Sequence, residues 1–184
     1  MRRATWPFCK TPGANGWRAA PDRGKGRRHE VFPVRDRDIL GRAGRDAVIA
    51  NVPELRRQYG LDFVIVNGEN AAHGFGITPE ICASLYAVGV DCITTGNHVF
   101  RRREILDALD SEPYLLRPAN YHPSAPGRGS VLLDMGAVQV GIISLLGAAF
   151  MEPIANPFDA ADREVHRLKE AGAHIILIDF HAEA

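Results

Sequence analysis

Asn67-Gly68-Glu69-Asn70, Gly96-Asn97-His98 and His181 are the residues of this sequence best equipped for chemistry, and each follows an apolar, β-like run. The runs are Phe63-Val64-Ile65-Val66, Asp91-Cys92-Ile93-Thr94-Thr95 and Ile175-Ile176-Leu177-Ile178-Asp179-Phe180. Buried parallel strands read as continuous Val/Ile/Leu stretches, and ligands collect at their carboxyl ends. Taken singly, an Asn or Gly after a strand is turn chemistry and a lone histidine is a hydrogen-bonded structural residue. Taken together, a carboxylate, a carboxamide and two imidazoles delivered by separate strands to one rim are donors for a hard or borderline divalent metal. Their joint occurrence favours a metal site over three unrelated turns.

The elements that must position these groups alternate between helix and strand. Val48, Ile49, Val52 and Leu55 recur at helical spacing within Arg45 to Tyr59, with a kink expected at Pro53 and a stop at Gly60. A strand from Leu61 to Val66 follows, then a helix opened by Thr78 as N-cap and Pro79 at N1, with Ile81, Leu85 and Val88 facing inward. The second strand is centred on Cys92 to Thr94. A short, charge-rich helix from Arg101 to Asp110 leads into a loop from Glu112 to Gly129. Ser130 to Asp134 and Val138 to Ser144, joined through Met135-Gly136-Ala137, read as a hairpin. Asn156-Pro157 opens the next helix, with Ala161, Val165 and Leu168 inward and Gly172 at its close, before the final strand from Ile175 to Phe180. Helix–strand units with an embedded hairpin point to a mixed α/β sandwich rather than a purely doubly wound sheet.

Composition sets the outer limits. At 184 residues and 46% hydrophobic, the chain can bury one real core. It contains no apolar stretch of the roughly 20 residues a membrane helix needs, and no apolar segment follows the basic residues at the amino end, so a cytoplasmic setting without a secretory signal is expected. Zero formal net charge conceals an asymmetry, because residues 1–31 hold 8 of the 22 Lys and Arg but only 2 of the 22 Asp and Glu. Such an arm could touch nucleic acid, but it has no periodicity and few aromatics, so plain disorder is the preferred reading. Cys9, Cys82 and Cys92 form no CxxC pair, which argues against a zinc knuckle or disulfide framework.

Read as whole motifs, the clusters resemble a known family. Asp62 to Ala72 (DFVIVNGENAA), Gly74-Phe75-Gly76-Ile77-Thr78, Thr94-Thr95-Gly96-Asn97-His98-Val99, Leu116-Arg117-Pro118-Ala119-Asn120-Tyr121 and Asp179-Phe180-His181-Ala182-Glu183-Ala184 are similar to the YmdB-type bacterial metallophosphoesterases, within the calcineurin-like phosphoesterase superfamily. The resemblance runs from about Asp38 to the last residue. It implies an α/β calcineurin-like metallophosphoesterase mixed-sheet sandwich with a dinuclear site of iron or manganese. It implies metal ligands at Asp38, Glu69 (the bridging carboxylate), Asn97 and His181, a catalytic histidine at His98, and a phosphate or metal-shell contact at Asn70. The implied substrate is a small-molecule phosphodiester, a 2′,3′- or 3′,5′-cyclic nucleotide. Arg117 and Asn120 are candidates for positioning it, against a reading in which they only hold their own loop.

The sequence departs from that family at both ends. Val31-Phe32-Pro33-Val34-Arg35-Asp36-Arg37-Asp38 carries a proline and a run of charges where an apolar strand is expected. Residues 1–37 are therefore expected to be a basic, disordered or non-native extension from a shifted frame or wrong start, with 38–184 forming a partial domain. The family continues past its His-Ala-Glu-Ala motif to a Gly-x-His-x-His segment with two further histidine ligands, so an incomplete fold, impaired catalysis and a tendency to aggregate are expected. The alternatives are a non-catalytic nucleotide- or phosphate-binding remnant and an inactive gene fragment. A second copy of the chain as partner is left open.

Overall fold

The computed structural model describes residues 39–149 and 154–182, so Asp38 and the 1–37 arm lie outside the described residues. Helix α1 spans Gly41–Tyr59, opening four residues before the apolar periodicity predicts, and it continues through Pro53. Gly60 ends it in the left-handed conformation at φ 62°, its N–H donating to the Arg56 carbonyl. Strand β1 is only Ile65–Asn67, shorter than the expected Leu61 to Val66. The missing residues are otherwise engaged. Leu61 N–H still donates to the α1 terminus at Arg56 O, and Val64 N–H donates to the Asp91 carboxylate at 2.7 Å rather than to a neighbouring strand. That carboxylate is ion-paired with Arg56, whose guanidinium also donates to Gly89 O at 2.8 Å and whose pKa is lowered by burial.

Helix α2, Pro79–Ala87, starts as expected, with Thr78 accepting from Ile81 N–H and Pro79 in the first turn. Cys82 and Leu85 face the core, while Ile81 is half-buried and Val88 forms the cap beyond the helix end. Strand β2 is Cys92–Thr94. The predicted helix from Arg101 to Asp110 is instead two 3-10 turns, Val99–Arg101 and Arg103–Ile105, followed by α3, Leu106–Ser111. Strand β3, Leu115–Leu116, lies inside the segment read as a loop. The hairpin is β4, Ser130–Asp134, and β5, Gln139–Leu146. Helix α4, Pro157–Glu170, is capped by the Asn156 side chain accepting from Phe158 N–H, and β6 is Ile175–His181.

Among the described residues the strands form two three-stranded sheets, β1-β2-β3 and β4-β5-β6. The first is entirely parallel; in the second, β4 is antiparallel to β5 and β6 parallel to it. Successive strand residues face opposite sides, and the packing follows that period. Ile93 and Leu115 of the first sheet face a core shared with α1, α2 and α3, whereas Cys92 and Leu116 face Leu133, Val140 and Ile142 of the second sheet. The second sheet turns Ile143 and Leu145 outward onto Ala160 and Leu168 of α4. Helices, sheet, sheet and helix are stacked in that order within the described residues. A side chain at Gly141 would meet Leu168 Cδ1 at 2.9 Å, so glycine there lets α4 close onto β5.

The same period fixes what the strand ends present. Asn67 shares the face of Ile65, and Asp179 and His181 share the face of Leu177; Ile65 and Leu177 both belong to the layer between the sheets. Polar groups at the ends of β1 and β6 are thereby aimed at one another.

Candidate metal-binding site

Glu69 is brought into place by the turn that follows β1. The Asn67 side-chain oxygen accepts from Glu69 N–H at 3.0 Å, and the Asn67 amide donates to Asp179 Oδ2 at 3.0 Å, tying β1 to β6 across the gap between sheets. Gly68 lies on Ile77 and Ile93, close enough that a Cβ would sit 2.6 Å from Ile77 Cδ1. The result is a carboxylate with no exposed surface.

The end of β2 is held by two buried hydroxyls. Thr95 Oγ donates to Leu116 O at 2.8 Å and Ser144 Oγ donates to Thr95 O at 3.0 Å, fastening β2 to β3 and to the second sheet. Gly96 then passes directly against the carboxylate. A Cβ there would overlap Glu69 Oε2 and lie 2.8 Å from His181 Cδ2, so only glycine leaves room for the two side chains.

Both imidazoles converge on Glu69. His98 N–H donates to Glu69 Oε1 at 3.2 Å, and its ring Nδ1 is 3.2 Å from the same oxygen and 2.9 Å from Asn70 Oδ1. His181, the last residue of β6 rather than the first after it, places Nε2 2.8 Å from Glu69 Oε2, outside hydrogen-bonding alignment. Glu69 Oε2 and, separately, Asn97 Oδ1 are buried oxygens without a hydrogen bond. No Lys or Arg pairs with Glu69 among the described residues.

An unmatched buried carboxylate oxygen costs several kcal/mol unless a positive charge meets it, roughly the penalty per ion inside a protein. The orphaned Oε2 beside the His181 imidazole therefore fits a divalent cation, and Asn97 Oδ1 is a second buried oxygen in want of a partner. Among the described residues no group of three or more His, Cys, Asp or Glu side chains surrounds one point; the donors here are of mixed type, a carboxamide included. Cys82 and Cys92 are buried, and burial pushes both thiols far above their ordinary range, as expected of small hydrophobes rather than ligands.

The structure separates the other sequence candidates. Asn70 lies within the site, its side-chain oxygen on His98. Arg117 and Asn120 are each engaged in hydrogen bonds that hold their own loops. Arg117 is 5% exposed and donates to the carbonyls of Pro118, Ala125 and Pro126, with its pKa lowered by burial. It borders a cavity of about 290 Å³ with Tyr121 and Arg163, in which Glu69, Asn97, His98 and His181 have no part. The Asn120 amide donates to Leu146 O and Ala155 O and accepts from Leu146 N–H, which uses nearly all of its capacity. Asn67 and Asp179 are polar residues at strand ends with nothing local in the sequence to mark them as partners. Their pairing follows from the facing of two strands distant in the chain.

Four stacked layers with a buried carboxylate between two imidazoles at the strand ends define an α/β sandwich protein with a candidate ligand site on its strand-end rim. The chain belongs to the YmdB-like protein family, whose model matches residues 37–184. It is 42% identical over 147 residues to the 2′,3′-cyclic-nucleotide 2′-phosphodiesterase of Bacillus subtilis strain 168, covering 80% of this chain and 55% of that protein. The crystal structure of a hypothetical protein from Thermus thermophilus superposes with a TM-score of 0.72 at 37% identity, covering 80% of this chain and 56% of that one. A novel phosphatase from Mycoplasma pneumoniae also gives a TM-score of 0.72, at 31% identity and 80% and 53% coverage. The chain thus spans about half the length of these relatives. No helix among the described residues is long and apolar enough to cross a membrane.

Proposed function

We propose that this chain carries a metal-dependent phosphodiesterase site for cyclic nucleotides, built on the sandwich of the calcineurin-like metallophosphoesterases. The observation that carries the reading is Glu69, a fully buried carboxylate with one oxygen orphaned beside an imidazole. The activity named for the Bacillus subtilis relative supplies the substrate class.

In this reading Glu69, Asn97 and His181 would hold a pair of iron or manganese ions, together with Asp38 from outside the described residues. When bound, such a pair lowers the pKa of a coordinated water and offsets charge on the phosphoryl oxygens. The residues themselves do the rest. Asn67 and Asp179 hold the two sheets at the spacing that lets Glu69 and His181 meet. His98 Nδ1 faces oxygen atoms of Asn70 and Glu69, an arrangement that suits an Nδ1–H tautomer and would leave Nε2 to exchange a proton with the ribose oxygen that leaves phosphorus. The side chains of Glu69, His98 and His181 are each less than one-fifth exposed, so water is largely displaced from the polar groups that act on the phosphate.

The test is metal content and turnover on the full chain. Loading with Mn²⁺ or Fe²⁺ is expected to give metal bound per chain and slow hydrolysis of a nucleoside 2′,3′- or 3′,5′-cyclic phosphate, both lost in Glu69→Gln and in EDTA. Nucleotide binding that survives EDTA without any hydrolysis would replace the reading with that of a binding module. Absence of both binding and hydrolysis would leave no function for the site.

A further inference from the structure

A solvent-exposed phenylalanine stands beside the imidazole of His98 on a loop that the fold holds rigidly. Phe75 is 58% exposed, and its ring centroid is 5.0 Å from that of His98, with the two planes inclined at 67°. A single exposed apolar side chain is ordinary on a protein surface. What sets Phe75 apart is the stage on which it sits.

The loop between Asn70 and Ile77 is fastened from inside and outside. Ala72 N–H donates to Gly76 O at 2.8 Å, Gly74 N–H to Asn70 O at 3.1 Å and Phe75 N–H to Ala72 O at 3.1 Å. From outside, Arg45 donates to Ala71 O at 2.5 Å, and Arg102 donates to Phe75 O and Ala72 O, each at 3.3 Å. His73, Gly74 and Gly76 all take positive φ, and His73 at 56° is the only non-glycine to do so among the described residues. A side chain in that conformation is strained by about 1 kcal/mol or more, and such strain gathers at ligand clamps. Gly76 passes so close that a Cβ would meet Arg102 Cγ at 3.0 Å and His98 O at 3.1 Å, which locks the loop against the residues after β2. Two arginines and a strained backbone thus fix a ring that itself buries little.

We propose that Phe75 is the platform on which the base of the nucleotide stacks, a specificity-determining residue; this rests on the cyclic-nucleotide reading above. The connectivity agrees: Phe75 and the Glu69 carboxylate both touch His98, from its ring and from its Nδ1, as a base and a phosphate both flank the sugar of a nucleoside cyclic phosphate. The contact with His98 is T-shaped rather than stacked, and the Phe75 side chain remains mostly exposed to receive an aromatic base. Stacking on a single aromatic side chain is tolerant of base identity because every base presents a π-face. The site would therefore favour nucleoside cyclic phosphates over simple alkyl phosphodiesters while discriminating weakly among the bases.

The experiment is calorimetric binding to the full, Mn²⁺-loaded chain of two probes, adenosine 2′,3′-cyclic phosphate and the same sugar cyclic phosphate lacking the base. Phe75→Ala is expected to weaken the first about tenfold or more, the loss of one base–aromatic stack, to leave the second unchanged, and to keep the melting temperature. Phe75→Trp is expected to restore affinity for the first. Equal affinity of the unaltered protein for both probes, or an equal loss for both in Phe75→Ala, would overturn the platform while leaving the phosphodiester reading intact. Failure of the unaltered protein to bind either probe would overturn that reading and the platform with it.

Discussion

His181 Nε2 lies 2.8 Å from Glu69 Oε2, joining the last strand of one sheet to the turn after the first strand of the other, yet the two atoms are not aligned as a hydrogen bond. A carboxylate of this kind is better placed for a cation than for its neighbours. Glu69→Gln keeps the shape and removes the charge. On the proposed reading of Glu69 as a metal ligand, it is expected to weaken Mn²⁺ binding by about a hundredfold, the upper end of what losing a supporting partner costs. In the metal-free protein the same change should raise the melting temperature, by about 2–4 °C for each kcal/mol of burial penalty relieved. Calorimetric titration and thermal melting read the two effects. A variant that melts lower in the absence of metal while still binding Mn²⁺ would show that Glu69 serves packing instead.

The Asn120 amide makes three hydrogen bonds to the backbone of Leu146 and Ala155, all of them buried or partly so. Asn120→Ala should therefore destabilise the fold by about 2–3 kcal/mol, the cost of leaving buried backbone groups unpaired. Urea denaturation measures it. KM for a cyclic nucleotide should be unmoved in the protein that remains folded, and a raised KM at unchanged stability would return Asn120 to the substrate.

Asn120 also marks where the sequence stops being readable. Elements governed by local chemistry were legible: Thr78-Pro79 and Asn156-Pro157 open their helices, and the two apolar runs around Gly136 pair as a hairpin. Strand β3 was not, because a two-residue strand has no period to detect and exists through its pairing with Ile93 and Thr94. The site divides the same way. Glu69, His98 and His181 could be picked out as polar groups ending apolar runs, and the structure brings all three together. The contacts made by Arg117 and Asn120, like the pairing of Asn67 with Asp179, depend on which segments the completed fold sets side by side.

Glu164 on α4 illustrates an electrostatic consequence away from the site. Burial raises its pKa, but hydrogen bonds from Ser130, Arg167 and Arg163 together outweigh that and hold the carboxyl below its ordinary value. A lowered folded-state pKa means that the stabilisation is present above the unfolded pKa and is lost as pH falls through the folded one. Glu164→Gln should cost about 1.5–3 kcal/mol at neutral pH, the range for hydrogen bonds to a charged group. The difference from the unaltered protein should shrink as pH drops below about 4, where an ordinary carboxyl protonates. Denaturation midpoints at several pH values check the slope, and a gap that stayed constant with pH would show that the carboxylate's charge contributes nothing.

Strand β6 is the edge of its sheet among the described residues, and its outer face is covered over only part of its length. Ile176 packs under α4, whereas Ile178 and Phe180, two and four residues further on the same face, are 45% and 46% exposed. An edge strand carrying uncovered apolar side chains invites pairing with another chain. The full chain should therefore self-associate in a concentration-dependent way, and Ile178→Thr with Phe180→Thr should suppress this while keeping β-favouring side chains on the strand. Light scattering across a dilution series measures the change. Neither position reaches the inner face that carries Asp179 and His181, so Mn²⁺ binding is expected to stay within about twofold, the effect of a surface change remote from the ligands. Self-association that persisted in the double variant would move the contact elsewhere, and loss of Mn²⁺ binding would mean that the outer face of β6 governs where His181 is held.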